Sequence, residues 1–508
     1  MKFSPQEIAQ KSLEHLQFVV AIDSSSDENS DTIPSTPGQA HLARELAKFF
    51  EHLGATTTLD PQANLVAKLP SRGAKRDHEP LALMVHLDTA RGTAPLDTLT
   101  IHRHWDGRPL SYARNPELQV SVQNYPSLVQ YVGQDVVHGM GDAPFGLDDK
   151  LGLTHLMTLA WLLHHHPDVD HPPLLIVARP DEEIGRMEAL LGLAEGLAKA
   201  NVRNGYTIDG LDPFEINIEN FNASHANLFF ASKPVDASPN VAMVALGGVN
   251  THGATAKAEG HRPATRFAAE ILAELAARDV DAKLVWFVCD ELRDCDAHAY
   301  FVFDDPEHLG EIFEVTEAVV APHIPRGASF EVSEVETAPG FDAAAHEAIA
   351  FVGQFLGSDP GFTLSAEESD GFDGYSQPYR VLPTAGGFQL DIRLRDFDRL
   401  ALTKREDHVR TLAGDHLVGV TQQYINMGPK LAERPELVEW AIQAAKNMGV
   451  EPLRQPIRGG TGVDPFLDKG IAVANLGTGY FAPESEKEFT TMQTMAAHAQ
   501  WLFELVQL

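Results

Sequence analysis

Apolar and polar residues follow two different styles along this chain. Up to about residue 210 the apolar positions come at helical spacing or in short solid runs. The N-terminal stretch MKFSPQEIAQKSLEHL and residues 41 to 54 carry the helical period. Leu65-Val66-Ala67-Lys68-Leu69, Leu81-Ala82-Leu83-Met84-Val85-His86, Leu174 to Ala178 and Gly205-Tyr206-Thr207-Ile208 are short enough to be strands that a sheet buries. Lys150 to His165 and Met187 to Ala200 predict helices between them. Strands and helices take turns, which predicts a mostly parallel sheet.

After Asp209 the style changes. Phe214-Glu215-Ile216-Asn217-Ile218-Glu219 alternates apolar and polar, as suits an antiparallel sheet with helices on one face. Beyond about residue 428 the first style returns, with a helix from Pro435 to Met448, the loop Arg458-Gly459-Gly460-Thr461-Gly462, a strand from Ile471 to Leu476 and a closing helix. The predicted fold is an α/β domain of residues 1–210 and 428–508 with a mostly parallel sheet, into which an α+β lid domain of residues 211–427 is inserted. Within the insert, strand, helix and strand over residues 298–332 are followed by the same order over residues 388–424. A duplication explains that order, and so do two unrelated pieces.

Composition narrows the class. With 508 residues, 44% of them hydrophobic, the chain has enough apolar material for two domains. A net charge of −33 repels nucleic acid and anionic membrane, so neither is expected as a partner. Cys289 and Cys295 are too few for a disulfide framework or a cysteine zinc site, which points to a reducing cytoplasm. The apolar run Phe18 to Ile22 is too short for a signal peptide, and no stretch has the length of a membrane span.

Candidate chemistry sits just past the apolar strands, where loops at the carboxyl edge of a parallel sheet build sites. His86 and Asp88 share one side of an extended segment, so Asp88 is placed to orient the imidazole. Asp148 lies in Gly146-Leu147-Asp148-Asp149-Lys150, where it could also be a helix cap. Asp209 ends its strand. Glu182 and Glu183 follow Leu174 to Ala178 in Pro180-Asp181-Glu182-Glu183-Ile184-Gly185-Arg186. A carboxylate that ligates a cation does not readily take a proton, so such a pair suits one ligand and one general base. Each residue alone has an ordinary structural explanation, but their joint order does not.

In that order and setting the segments HLD, GLDDK, DEEIG and YTIDG resemble the dinuclear zinc exopeptidases, most closely the peptidase T-like aminopeptidases. The resemblance extends to Ile33-Pro34-Ser35-Thr36-Pro37-Gly38-Gln39, Glu219-Asn220-Phe221-Asn222-Ala223, Ile392 to Asp398 and Pro456 to Thr461, and omits roughly residues 278–365. It implies two divalent metal ions, ordinarily zinc, with Asp148 bridging them and His86, Asp209 and Glu183 completing the shells. Glu182 is then the general base, His252 the oxyanion donor and Arg458 the partner of the substrate's carboxylate. Register from Asn475-Leu476 and Glu488-Phe489 puts Glu484 where the family's last histidine ligand stands, which admits cobalt or manganese beside zinc. Two further departures are Gly253 after His252 and the run Thr461-Gly462-Val463-Asp464.

The resemblance therefore implies a cytoplasmic two-metal aminopeptidase on short peptides, with tripeptides foremost. A deacylase or carboxypeptidase on another small amide is the alternative within hydrolysis. A catalytically silent binding protein is the alternative outside it, motivated by Glu484 and the altered glycine loop. A homodimer joined through the lid and a monomer whose enlarged lid covers its own site are the two expected assemblies.

Overall fold

The computed structural model describes residues 2–247, 257, 260–290 and 295–508. They divide into two compact units. One holds the chain up to Glu219 with Met427–Ile457 and Thr461–Leu508, and the other holds Asn220–Asn426 with Arg458–Gly460.

The first unit is built on an eight-stranded sheet in the order Thr56–Leu59, Leu65–Leu69, Leu174–Arg179, Leu81–His86, Asn204–Gly210, Ala472–Gly477, Glu215–Asn220, Leu453–Ile457. The four central strands, from Leu174–Arg179 to Ala472–Gly477, run parallel. Leu65–Leu69 and Glu215–Asn220 flank them antiparallel. The α/β class expected from the pattern is thus present, with the parallel part confined to the centre of a mixed sheet. The reason lies in burial: Leu81–His86 and Leu174–Arg179 are buried at every position, whereas Leu65–Leu69 alternates as an outer strand does. The alternating segment expected to open the inserted domain is Glu215–Asn220, and it pairs with the first sheet through Asn217 opposite Asn475. Its alternation reflects an antiparallel neighbour, not a different domain.

Leu147–His165 is buried along most of its length and packs against Pro5–Val20 and Met492–Leu505. The predicted helix from Met187 begins as a 3-10 turn, Met187–Leu190, and continues as Leu191–Lys199. A small sheet of Thr100–His102, Val136–His138 and Phe489–Thr491 ties the C-terminal segment to the region before Asp148.

The second unit is an antiparallel eight-stranded sheet in the order Ser329–Val335, Val241–Gly247, Ala297–Phe303, Ala282–Cys289, Tyr375–Thr384, Gly387–Asp396, Asn222–Ala231, Leu417–Tyr424. Its order reads as two halves facing each other across the pairing of Cys289 with Val381. In each half one strand is followed by a helix, a hairpin, a second helix and an edge strand. Val241–Gly247, Ala264–Ala277, Ala282–Cys289, Ala297–Phe303, His308–Val320 and Ser329–Val335 form one copy. Asn222–Ala231, Ala343–Leu356, Tyr375–Thr384, Gly387–Asp396, Arg399–Ala413 and Leu417–Tyr424 form the other. The first copy is therefore nested after the opening strand of the second, and the segment 278–365 supplies most of it. Residues from all four helices join one apolar core with Leu228, Val244, Phe301 and Leu390 of the strands.

Among the described residues no helix is long and apolar enough to cross a membrane. Both cysteines are buried thiols outside any disulfide.

Candidate metal centre

Three of the four central strands of the first unit, and one helix start, bring acidic or histidine residues to the carboxyl edge of the sheet. His86 ends Leu81–His86, Asp209 lies next to the end of Asn204–Gly210, Glu182 and Glu183 follow Leu174–Arg179, and Asp148 opens Leu147–His165. His86 Nε2 is 2.9 Å from Asp148 Oδ1 and 3.4 Å from Asp209 Oδ1. His86, Asp148 and Asp209 each offer a ligand atom within 4.8 Å of the others, and so do Asp148, Glu183 and Glu484. Asp148 is common to both groups. The five residues expected as ligands are thus assembled as two triads sharing one carboxylate.

Asp88 acts on this cluster through its backbone and through its side chain. Its main-chain oxygen lies 2.9 Å from His86 Nδ1, while its carboxylate is 3.6 Å from that nitrogen. The carboxylate instead accepts the backbone N–H groups of Glu182 and Glu183, at 2.9 and 3.0 Å. Asp88 therefore orients the ring by its backbone and the glutamate pair by its side chain.

Crowding governs the electrostatics. Burial would lower the His86 pKa, but Asp209, Asp148 and Asp88 outweigh it and hold the imidazole well above its usual range. Burial pushes Asp209 up to about 7, with Asp148 and Glu182 adding to the rise against the pull of His86. Glu183 rises well above the carboxylate range through burial and then the Asp148 charge. Burial also raises Glu182, opposed by His86 and Arg179. Asp148 alone goes down, because bonds from His86 and from the Tyr480 hydroxyl, 3.0 Å from its Oδ2, overcome burial. Too many carboxylates surround one imidazole. Glu183 Oε1 is buried and has no hydrogen-bond partner. A divalent cation would satisfy that oxygen and relieve the mutual repulsion, so the residues present fit two such ions.

Several supporting residues went unassigned in the sequence. Asp149 takes the His86 backbone N–H at 3.1 Å and that of Gly152 at 3.1 Å, fixing the strand end to the helix start. Asp181 has φ of 54°, a costly left-handed conformation for an aspartate. It is held there by Ser35 Oγ at 2.5 Å and Gln39 Nε2 at 2.7 Å, which gives Ile33 to Gln39 its purpose. Glu488 is fully buried; one oxygen accepts the backbone N–H groups of Phe145, Gly146 and Leu147, and the other that of Glu484 at 3.0 Å. In the sequence Glu488 marked only a register. Gly462 has φ of 58°, and a Cβ there would press on Arg179 Nη1 and come within 2.7 Å of Glu182 Oε1. Arg179 is fully buried and donates to the Thr461 carbonyl at 2.9 Å. The altered glycine loop is thus closely packed against the glutamate that belongs to neither triad.

Two expected residues are not among the side chains of the first unit described above. His252 lies outside the described residues. Arg458 groups with the second unit, where it donates to Ser369 Oγ and to the Gly371 carbonyl at 2.7 Å and sits 5.1 Å over the Phe221 ring.

No protein-family model matches the chain. It is 25% identical over 509 residues to Peptidase T of Bacillus licheniformis and 26% identical over 515 residues to Peptidase T of Bacillus cereus, each alignment covering 98% of both chains. Among solved structures it is similar to a tripeptidase from Staphylococcus aureus, with a TM-score of 0.51 at 16% identity over 98% of each chain. It is also similar to aminoacylhistidine dipeptidase from Vibrio alginolyticus, with a TM-score of 0.57 at 13% identity over 98% of this chain and 96% of that one. From near its start to near its end, the chain is a homologue of the Peptidase T proteins and has the fold those two structures share.

Proposed function

We propose that the protein is a metal-dependent aminopeptidase that hydrolyses short peptides, tripeptides foremost, in a reducing cytoplasm. The observation that carries this reading is the pair of triads sharing Asp148, with Glu182 beside them and in neither. The names of the relatives, Peptidase T and tripeptidase, support the substrate class. His86, Asp148 and Asp209 would hold one divalent ion, and Asp148, Glu183 and Glu484 the other. When bound, such a pair lowers the pKa of water and polarises a carbonyl. Zinc, cobalt and manganese all accept donors of these kinds.

The chain's own residues then divide the work. Asp88 holds the Glu182 backbone, so the carboxylate is aimed without spending its own oxygens. Glu182 takes the proton of the attacking water and returns it to the leaving amine. In the ion-free protein burial raises its pKa above that of an exposed glutamate. Asp88, through its backbone oxygen, keeps His86 Nδ1 occupied and Nε2 free to ligate. His252 is the proposed oxyanion donor and Arg458 the proposed partner of the substrate carboxylate, both from the resemblance. Among the described residues the central strands of the second unit are joined to each other and the free edges lie at Ser329–Val335 and Leu417–Tyr424, which supports the monomer over a dimer built on the central strands.

The test is Glu182→Ala with a panel of tripeptides and N-acyl amino acids. Turnover of tripeptides should vanish while two ions per chain remain bound. Cleavage confined to N-acyl amino acids would move the reading to a deacylase, and no cleavage by the metal-loaded wild type would leave a binding protein.

A further inference from the structure

The two triads differ in donor chemistry. His86, Asp148 and Asp209 combine one imidazole nitrogen with two carboxylates, whereas Asp148, Glu183 and Glu484 present carboxylate oxygens alone. Resting on the two-metal reading above, we infer that the centre is a mixed one, with zinc at the histidine-bearing triad and a harder ion of the manganese class at the oxygen-only triad. Imidazole suits zinc, while an all-oxygen set suits manganese and magnesium.

The oxygen-only triad is a built site and not a loose acidic patch. Although Glu484 is exposed, Glu183 Oε1 is buried without a hydrogen-bond partner, so one triad carboxylate is already partly desolvated with an unmet need for a positive partner. Glu484 reaches the triad from a loop, with φ of 53°. The Glu488 carboxylate holds that loop: it accepts the Glu484 N–H on one oxygen and the three N–H groups just before Asp148 on the other. One buried side chain thus sets the spacing between the two segments that carry Asp148 and Glu484. The histidine-bearing triad needs no such clamp, because His86 and Asp209 are on neighbouring sheet strands.

Zinc binds more tightly than manganese to nearly any set of donors, so the partition is one of margins. Losing the imidazole narrows zinc's advantage at the oxygen-only triad. Manganese in excess should therefore displace one ion before the other.

The holoenzyme is dialysed at fixed zinc while manganese is raised from equal concentration to about a thousandfold excess, and bound ions are counted by elemental analysis with manganese spin resonance. A plateau of one zinc and one manganese per chain is expected. Glu484→His should push the onset of manganese uptake to an excess at least roughly tenfold higher. Should that variant misfold, Glu484→Gln should lose the second ion and keep one zinc. Replacement of both ions at a single ratio, or an onset unmoved in Glu484→His, would overturn the inference. Tripeptide cleavage is scored on the same samples, which separates the two readings: a plateau without cleavage sinks the peptidase and keeps the partition, and cleavage without a plateau does the reverse.

Discussion

Asp209 in the first unit and Asp391 in the second are both largely buried aspartates on sheet strands, yet they sit on opposite sides of their ordinary range. Asp209 is pushed up to about 7, while Asp391 is brought down to about 2. Burial raises both. Asp391 overcomes it with His225, Gln389 and Arg380 around its oxygens, whereas Asp209 faces Asp148, Glu182 and a single shared imidazole. A carboxylate that the chain has fully paired is part of the scaffold. One left among its own kind is binding capacity for a cation that the chain does not encode.

The comparison breaks most visibly at Asp148, the carboxylate both triads share. Asp148→Asn should lose both ions and lower kcat/KM at least about a thousandfold, roughly 4 kcal/mol of barrier. Metal analysis beside peptide turnover checks this, and two retained ions would remove Asp148 from the bridging position. Chelation comes next. Asp209, Glu182, Glu183 and Asp149 have folded pKa values above their unfolded ones. The contribution of these four carboxylates to the stability of the ion-free protein is therefore fully present below about pH 4 and is lost as pH rises through about 7. Bound ions remove the penalty, so the rise in Tm on adding zinc should grow from about pH 5 to about pH 8. A rise independent of pH would place the ions away from this cluster.

Legibility followed how each residue is placed. His86, Asp209 and the Glu182-Glu183 pair end solid apolar runs, so the same pattern that predicts the strands also predicts where these residues gather. Asp148 was readable because a glycine turn feeding a helix has few conformations. The repeated element order in the second unit was visible as strand, helix, strand, but its nesting was not, since the opening strand Asn222–Ala231 is separated from the rest of its half by the whole of the other. Glu215–Asn220 read as part of the insert because alternation reports an antiparallel neighbour without saying which sheet supplies it. Asp149, Asp181, Tyr480 and Glu488 carry no local signal. Each works through a partner far away in sequence or through main-chain N–H groups, and polar residues with such tasks look like any loop residue.

Asp88 separates orienting from ligating. Its two carboxylate oxygens each accept one N–H of the glutamate pair. Asparagine retains only one accepting oxygen, so Asp88→Asn should loosen the backbone of the Glu182-Glu183 pair while leaving every triad side chain in the chain. We expect kcat to fall about 10- to 100-fold with two ions still bound and KM changed by less than about threefold. A fall in KM-independent turnover accompanied by loss of an ion would mean that Asp88 works mainly through His86.

The smallest effect concerns Asp391, and it tests the scaffold side of the comparison. Asn227 Nδ2 donates to its Oδ1 at 2.6 Å, Gln389 Nε2 to the same oxygen at 2.8 Å, and Arg380 Nε to Oδ2 at 2.7 Å. A folded pKa of about 2 against about 3.8 unfolded means the ionised form is favoured by folding. That contribution, about 2 kcal/mol, is fully present above the unfolded value and disappears as pH falls through the folded one. Asp391→Asn should therefore lower the urea midpoint at neutral pH, lower it progressively less from about pH 4 downward, and leave metal content and tripeptide turnover at wild-type values. Because Asp209 has the opposite shift, its own neutralisation in the ion-free protein should stabilise at neutral pH. The two aspartates then give opposite signs in one denaturation experiment, and equal signs would mean that pairing does not divide scaffold from binding capacity in this chain.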